Sequence, residues 1–213
     1  MGIARRLRTK AALIESKFLK RRWPAVALFK NNENYSIVKI KRRGIIGKGD
    51  FENVVFSVDV LKGDRLLKFV EKVYGHPDAR AVWYDMRILG DLRKAGCDVP
   101  RTVRIIPGSE KEMPTLVMSD LRFGMGHKSA IGGIGILKKL KNIGEVKKQI
   151  IRNVERAAKI GYKMREDAFL IAADKNKLGR AFVVDVDWVF GPKKVDHEEV
   201  MAYWGKRFGE LNI

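Results

Sequence analysis

The sequence predicts an α+β fold, with strands and helices largely segregated along the chain. Three β-rich segments follow one another between residues 35 and 74, whereas most of the later chain has apolar residues at helical spacing. A single late hairpin interrupts the helical part. A doubly wound parallel sheet requires strict alternation of strands and helices, which this chain lacks. With 213 residues, 46% of them hydrophobic, the chain can bury one sizeable core or two small lobes.

Residues 1–22 predict a basic amphipathic helix, which we assign to a separate N-terminal segment, residues 1–30. Apolar residues from Ile3 to Phe18 recur at helical spacing, and Glu15 is the only acid among many lysines and arginines. Three functions fit this helix: binding of acidic lipid or RNA, docking of its apolar stripe on the rest of the domain, and a role as a transit peptide.

Strands are predicted next, at residues 35–41, 54–60 and 65–74, where β-branched and apolar residues dominate. The turn Lys62-Gly63-Asp64 joins the second and third strands as a hairpin. A glycine-rich bend at residues 44–49 separates the first two strands.

Two long helices are marked by their ends. The first is predicted between Pro77-Asp78 and Gly96, because proline favours the first turn of a helix and glycine follows the last. Gly161 ends the second, and residues 122–144 before it predict a glycine- and lysine-rich loop with a short helix. Short strands are predicted at residues 102–106 and 115–118, a hairpin at 168–173 and 180–186, and a final helix at 197–208.

Charge and composition restrict the function. Lys and Arg number 44 against 25 Asp and Glu, and a net charge of +19 predicts an anionic partner: nucleic acid, an acidic membrane surface or phosphate groups. The single cysteine, Cys97, excludes an intrachain disulfide framework, and the three histidines are too far apart for a local zinc motif. No segment has the length of a membrane span or a secretory signal, so we expect a cytoplasmic protein, which the N-terminal helix can attach to a membrane surface.

A resemblance to a known family begins at the glycine bend. Gly47-Lys-Gly49-Asp-Phe51-Glu-Asn-Val54 resembles the glycine-rich loop of the protein-kinase-like fold, with Glu52 in place of the third glycine. The resemblance implies that this segment covers the phosphates of ATP. It further implies a strand lysine that holds the α- and β-phosphates, which is Lys72, or alternatively Lys68 on the same strand.

The next two matches follow in family order. Kinase-like phosphotransferases have a helix that reads E-x-x-x-L-x-x-L-x-x-x-G-x-x-V-P, and residues 85–100 agree at every spacing, with Asp85 in place of glutamate. The resemblance implies that Asp85 orients Lys72. Residues 114–121 resemble the strand and hinge between two lobes, which implies contacts of Met118 and Asp120 with adenine.

The late hairpin resembles the metal site of this fold. Asp185 ends an apolar strand and would hold Mg²⁺, with Asp187 as a second ligand or as the true counterpart. Asp167 lies at a natural distance before it for the catalytic aspartate, which places Ala172 where the family has asparagine. Alternatively, Asp167 itself replaces the asparagine as a metal ligand, and the base position is then empty. Residues 161–171 contain neither the usual histidine nor the asparagine.

Together these matches resemble the minimal kinase-like proteins, namely the RIO-type, lipopolysaccharide-type and aminoglycoside-type phosphotransferases. The resemblance implies two lobes: a small antiparallel-sheet N-lobe at residues 31–119 and a short, mainly helical C-lobe at residues 120–213. The implied function is phosphoryl transfer from ATP, with Mg²⁺, to an unidentified acceptor such as a small molecule, a lipid or sugar, or a protein. The alternatives are an inactive kinase-like module that docks on nucleic acid or membrane, and a basic nucleic-acid-binding domain without a nucleotide pocket.

Two further groups of residues have a predicted place. Lys148, Arg152, Arg156 and Lys159 fall on one face of the second long helix, as a phosphate-contacting surface or a solvated one. The tryptophans Trp83, Trp188 and Trp204 are predicted to lie in the core.

Overall fold

The computed structural model describes residues 37–48, 53–62, 65–75, 80–106, 108, 113–121, 130–186, 189–192 and 194–213. The predicted N-terminal helix and the predicted helix start at Pro77-Asp78 lie outside these residues. Within them the chain forms three small sheets and three α-helices, which confirms the predicted α+β class. None of the helices among these residues combines the length and the apolar character needed to cross a membrane.

The largest sheet has five strands: β1 (Ile37–Lys48), β2 (Val54–Lys62), β3 (Arg65–Val73), β4 (Thr102–Ile106) and β5 (Thr115–Ser119). Their spatial order is β1-β2-β3-β5-β4, and β2 pairs antiparallel with both β1 and β3. β-Branched and aromatic residues favour these strands because they pack well on a pleated surface. The buried side chains of the sheet include Phe56, Val58, Val73, Leu116 and Val117.

The bend predicted at residues 44–49 is wrong for its first part, because β1 continues as a strand to Lys48. The pairing of β1 with β2 shifts register just before Gly44 and again just before Gly47. Such shifts are typical of β-bulges, in which an extra residue in one strand increases the local twist. Glycine has no side chain to obstruct the extra residue, so these glycines deform the strand without ending it.

Helix α1 (Arg80–Lys94) ends at the predicted glycine. Gly96 has φ +83°, and the amides of Gly96 and Cys97 donate to the carbonyls of Arg93 and Leu92, each over 2.9 Å. This is a Schellman cap, in which a residue in the left-handed region satisfies carbonyls that the helix leaves unpaired. Glycine adopts that conformation without a steric penalty, which is why its position in the sequence predicts the helix end correctly.

The later sheets are formed by β6 (Ala130–Gly132), β7 (Lys163–Met164), β8 (Phe169–Ala173), β9 (Gly179–Val183) and β10 (Val189–Phe190). The predicted late hairpin is confirmed as β8 and β9, which pair antiparallel. Strand β6 extends this sheet beside β8, although its residues are predicted to lie in a loop. β7 and β10 form a separate pair. Strands of two or three residues are too short to show a period of two, so the sequence pattern does not reveal them.

Two further helices, α2 (Ile143–Lys159) and α3 (His197–Glu210), complete the fold and confirm the predicted positions. Gly161, with φ +86°, follows α2 as predicted, and the next amide, of Tyr162, donates to Ala157 O over 2.9 Å. A short 3-10 helix, Ile134–Lys139, precedes α2. The buried residues of α2 and α3 are Val146, Ile150, Asn153, Val154, Ala157, Val200, Trp204 and Phe208.

Trp204 confirms its predicted place in the core, whereas the same prediction for Trp83 is wrong. The Trp204 side chain is fully buried, but that of Trp83 is 50% exposed. The buried face of α1 includes Val82, Ile88 and Leu92, and one residue along a helix turns the side chain by about 100°. Trp83 therefore points away from that face. Trp188 lies outside the described residues.

The chain divides into two compact units. Unit 1 comprises Met1–Val82 and Arg104–Val117, and unit 2 comprises Trp83–Val103 and Met118–Ile213. Strands β1, β2 and β3 belong to unit 1. Helices α2 and α3 and the two small sheets belong to unit 2.

The segment that follows α1 is anchored inside unit 2. The Cys97 thiol is 6% exposed and donates to Asn153 O over 3.4 Å, and the Asp98 amide donates to Asn153 Oδ1 over 2.8 Å. Burial raises the pKa of Cys97 from 9.0 to about 11, because the thiolate loses its hydration, and the nearby charge of Arg156 offsets only part of this effect.

We expect Cys97 to resist iodoacetamide near pH 9 in the folded protein and to react as an ordinary thiol after denaturation. Because the folded pKa lies above the unfolded one, this group stabilises the fold fully below about pH 9, and that contribution falls as pH rises through about 11. The contribution of Cys97 to stability is measured by comparing the free energy of unfolding of the parent and of Cys97→Ala between about pH 9 and 11. Equal thiol reactivity in the folded and denatured states would contradict it.

Candidate functional site

In unit 1, the glycine-rich end of β1 lies in one row with Lys72 across three strands. Gly47 stands opposite Val55, and Val55 stands opposite Lys72. Adjacent strands are about 4.8 Å apart, so about 10 Å separates the backbone of Gly47 from that of Lys72. Val54 occupies the neighbouring row. The predicted Gly49 and Phe51 lie outside the described residues.

Of the two lysines predicted to contact phosphate, Lys72 lies closer to the glycine-rich end of β1 than Lys68 does. Lys68 stands opposite Asp59, four residues and about 13 Å along the strand from the row that contains Gly47. Lys72 is only 7% exposed, whereas Lys68 is half-buried. The Lys72 ammonium lies 5.2 Å from the centre of the Tyr74 ring, a cation–π geometry. Burial of an ammonium costs free energy unless it is compensated, which makes Lys72 the more unusual of the two residues.

Sequence reasoning missed two buried polar residues beside this row. Asn53 is 7% exposed, and its Oδ1 accepts a hydrogen bond from the Gly75 amide over 3.3 Å, which ties the start of β2 to the chain after β3. Glu71 is fully buried and points to the face of β3 opposite that of Lys72, since side chains alternate along a strand. The adjacent charged residues Glu71 and Lys72, between Val70 and Val73, are the sequence feature that marks both faces.

Three further predicted site residues lie in unit 2 and are buried. Asp85, in α1, is 3% exposed, and Asp120, just after β5, is 2% exposed. Met118 lies near the end of β5 and is also buried. A buried carboxylate requires partners, so these two aspartates have structural or functional contacts to maintain. The pairing of Asp85 with Lys72 and the contacts of Met118 and Asp120 with adenine stay predictions.

The backbone of unit 2 brings the predicted Asp167 and Asp185 together. Asp167 belongs to a 3-10 turn, Glu166–Ala168, that directly precedes β8. The Ala168 carbonyl accepts hydrogen bonds from the amides of Val184, over 2.9 Å, and Asp185, over 3.3 Å, just after β9. Two carboxyl-bearing residues that are distant in sequence therefore lie on adjacent backbone segments.

These two carboxylates have the chemistry of a magnesium site. Mg²⁺ is usually held by one or two carboxylates together with phosphate oxygens and water. Asp167 is exposed and Asp185 is half-buried, while the predicted Asp187 lies outside the described residues. The residues that the structure describes contain no group of three or more metal-ligating His, Cys, Asp or Glu side chains. Asp167 and Asp185 thus supply the type and number of carboxylates that a phosphate-assisted magnesium site uses, and magnesium binding here stays a prediction.

Ala172 lies away from these aspartates. It is fully buried inside β8, where it stands opposite Arg180 of β9 and Ile131 of β6. Asp167, in contrast, is two residues before the first residue of β8, Phe169. The structure thus places Asp167 just before β8 and Ala172 inside it, and both roles of Asp167 stay predictions.

Helix α3 contacts the turn that contains Asp167. Sequence reasoning missed these contacts. The Glu166 carboxylate accepts a hydrogen bond from the Tyr203 hydroxyl and lies 3.1 Å from Arg207 Nε. Trp204 Nε1 donates to the Met164 carbonyl over 3.2 Å. The hydrogen bond of Arg207 to Glu210, and the charge of Glu166, raise the pKa of that guanidinium further, so it stays charged. The Glu166 side chain cannot be assigned to this role from local sequence, because its partners are more than 30 residues away.

Two of the four cations on the predicted basic face of α2 contact other residues of unit 2. Arg156 donates to the Gly96 carbonyl, and Arg152 lies 3.8 Å from Asp98. Burial alone would raise the pKa of Asp98, but hydrogen bonds from Arg180 and Gln149 and the nearby arginine charges outweigh it and lower the pKa. Lys148, Arg152 and Lys159 are exposed, whereas Arg156 is half-buried, so three of the four cations stay open to solvent or to a phosphate-bearing partner.

The described residues thus assemble two candidate clusters: Gly47, Val55 and Lys72 in unit 1, and Asp167 and Asp185 in unit 2. The first cluster follows from the pairing of strands that are consecutive in sequence. The second depends on hydrogen bonds between segments that lie further apart in the chain. Compared with models of known families and with characterised proteins, the chain matches none.

Proposed function

We propose that this protein is an ATP- and Mg²⁺-dependent phosphotransferase with a two-lobed protein-kinase-like fold. The observation that supports the proposal is the hydrogen bonding of the Ala168 carbonyl to the amides after β9, which joins the backbone of the Asp167 turn to that of Asp185. A buried lysine in register with a glycine-rich strand end supports it independently. Kinase-like phosphoryl transfer needs these two elements: a lysine for the phosphates and carboxylates for the metal.

The proposed roles follow the chemistry of each group. Lys72 contacts the α- and β-phosphates, and Asp85 orients its ammonium. The backbone around Gly47 and Gly49, with Phe51 and Val54, covers the nucleotide, because glycine lets amide groups approach phosphate oxygens closely. Met118 and Asp120 contact the adenine. Asp185, with Asp187 or Asp167, would hold Mg²⁺.

The proposed reaction transfers the γ-phosphoryl group of ATP to an acceptor hydroxyl. The hydroxyl oxygen forms a bond to the γ-phosphorus, the bond from that phosphorus to the β–γ bridging oxygen breaks, and ADP leaves. The hydroxyl proton passes to the Asp167 carboxylate or to solvent. Bound Mg²⁺ offsets the negative charge on the phosphate oxygens. The net charge of +19 favours an anionic acceptor, or one on an anionic scaffold such as RNA, acidic lipid or phosphorylated sugar.

A second candidate is an inactive kinase-like module that binds nucleotide without turnover and docks through its basic surfaces. The composition of residues 161–171 favours it, because that segment contains neither the histidine nor the asparagine of the family pattern. The loss of either group affects the chemical step more than nucleotide binding, since positioning and electrostatics supply most of the catalysis.

Thermal unfolding with Mg-ATP tests the nucleotide site directly. A ligand at a hundred times its Kd stabilises the folded state by about 2.7 kcal/mol, which raises the Tm by roughly 5–10 °C for a chain of this size. We expect this shift in the parent and in Lys68→Ala, and its loss in Lys72→Ala and Asp185→Ala.

Lys68→Ala is the matched control, because it removes an ammonium from the same face of the same strand. No shift in the parent at saturating Mg-ATP would contradict the proposal. A shift that survives in Lys72→Ala but not in Lys68→Ala would move the phosphate contact to Lys68. Labelled phosphate release from ATP then separates the active enzyme from the inactive module.

A further inference from the structure

Two lysine-rich loops of unit 2 are joined into one surface, which we call the lysine knuckle. It consists of residues 138–141, which lead into α2, and residues 174–179, which connect β8 and β9. The Lys141 amide donates to the Lys177 carbonyl over 2.9 Å. Asn142 and Gly179 exchange two hydrogen bonds, of 3.0 and 2.8 Å, beside it. The exposed lysines of the knuckle are Lys138, Lys139, Lys141, Lys175 and Lys177.

The lysines of the knuckle are not neutralised by acids of the described part of the chain. Among the residues that the structure describes, none of its five ammonium groups takes part in an ion pair. The one acid in the knuckle, Asp174, accepts hydrogen bonds from the amides of Asn176 and Leu178, over 2.9 and 2.8 Å. Its carboxylate is thereby directed at the backbone of its own loop. Like charges on a fixed backbone raise the local positive potential and attract an anionic surface.

An exposed apolar side chain lies in the lysine knuckle, at the residue that closes the loop between β8 and β9. Leu178 is 45% exposed, one of few large apolar side chains in the described residues that are so accessible. Its backbone is fixed, because the Asp174 amide donates to its carbonyl over 2.9 Å, and Lys177 before it adopts φ +63°. A closed turn therefore presents an exposed aliphatic side chain in the same loop as two exposed lysines, Lys175 and Lys177.

We propose that the lysine knuckle docks this protein on the surface of an anionic lipid bilayer. Ammonium groups approach acidic headgroups, while an aliphatic side chain gains free energy by leaving water at the headgroup boundary. Lysine is suited to this boundary because its aliphatic stem can lie in apolar surroundings while its charge stays hydrated. The lysine knuckle shares no residue with the proposed nucleotide site, and the proposal does not depend on nucleotide binding.

The composition of the lysine knuckle favours lipid over nucleic acid. Its two segments contain no arginine and no aromatic residue, the side chains that read base edges and stack on bases. An exposed leucine adds nothing to a contact with phosphate backbone, but it does add to contact with lipid. An anionic bilayer can bind both the lysines, through its headgroups, and Leu178, at the boundary of its acyl chains.

Sedimentation of the full chain with phosphatidylcholine vesicles, with and without phosphatidylserine, tests the proposal. In the triple variant Lys139→Gln, Lys175→Gln and Lys177→Gln, partitioning onto the phosphatidylserine vesicles should fall about 100-fold, at about five-fold per lysine. The matched control, Lys94→Gln, Lys159→Gln and Lys194→Gln, removes the same charge from exposed positions outside the knuckle. Because the N-terminal segment is unchanged in both, any binding by its basic residues cancels in the comparison.

The apolar contact is tested separately by Leu178→Ser, with Ile160→Ser, another exposed aliphatic residue, as its control. We expect about a five-fold loss of partitioning for Leu178→Ser and none for Ile160→Ser. Equal losses in the two triple variants would overturn the proposal. So would a single-stranded RNA that binds more tightly than the vesicles, depends on the same lysines and ignores Leu178.

Discussion

Replacing Asp167 with alanine is expected to lower the rate of phosphoryl transfer about 10²- to 10⁴-fold, the usual contribution of a general base and of a similar order for a lost metal ligand. Asp167 is exposed on its turn. The carbonyl of the next residue, Ala168, accepts a hydrogen bond from the Asp185 amide over 3.3 Å. We expect this loss without a change in fold, because the Asp167 side chain is exposed. Mg²⁺-dependent phosphate release from labelled ATP measures it.

The same variant distinguishes the two roles left open for Asp167. If Asp167 accepts the proton of the acceptor hydroxyl, Asp167→Ala keeps the Mg-ATP thermal shift of the parent. If it ligates Mg²⁺, the variant loses most of that shift. Glu198→Ala, at an exposed acid in the first turn of α3, serves as the matched control and should leave both quantities unchanged. Undiminished turnover in Asp167→Ala would falsify both roles.

Replacing Trp204 with alanine should destabilise unit 2 by about 3–5 kcal/mol, the usual range for deletion of a buried tryptophan. Its ring centre lies 5.4 Å from that of Phe169 in a T-shaped pair and 5.5 Å from that of Phe208. The variant also leaves the Met164 carbonyl without its indole partner. The expected fall in Tm is roughly 6–20 °C, measured by circular dichroism.

Trp83→Ala provides a matched control for the loss of a tryptophan. Its side chain is 50% exposed, so the same substitution there should cost less than about 1 kcal/mol. Trp204→Phe keeps an aromatic ring but removes the indole N–H, and should fall between the two. A Trp204→Ala variant as stable as Trp83→Ala would show that α3 contributes little to the core.

Local sequence features predict much of this fold because local physics determines them. Gly96 and Gly161 end their helices in the left-handed conformation that glycine adopts at least cost. The β8–β9 hairpin is bounded by a polar turn and two apolar segments, which its antiparallel pairing reproduces. In contrast, β6 has three residues, and β7 and β10 have two each, so their pairing with distant strands leaves no period in the sequence.

The candidate site divides in the same way. The sequence narrows the strand lysine to Lys72 or Lys68, whereas the low exposure of Lys72 and its row with Gly47 come from the structure. The contact between the Asp167 turn and Asp185 is not predictable from local pattern, because it depends on amides that donate to a carbonyl elsewhere in the chain. Trp83 fails for another reason: tryptophan is a common core residue, and its position around the helix axis decides its exposure.

The attachment of the Asp167 turn to α3 sets an order of events during protein synthesis. The ribosome makes the turn first and reaches Tyr203, Trp204 and Arg207 more than 30 residues later, which takes a few seconds at roughly 5–20 residues per second. Until then the Glu166 carboxylate and the Met164 carbonyl have only water as partners in place of α3. A nascent chain therefore carries this turn with its contacts to Val184 and Asp185 but without those to α3, and a message truncated before α3 yields a product that lacks the latter.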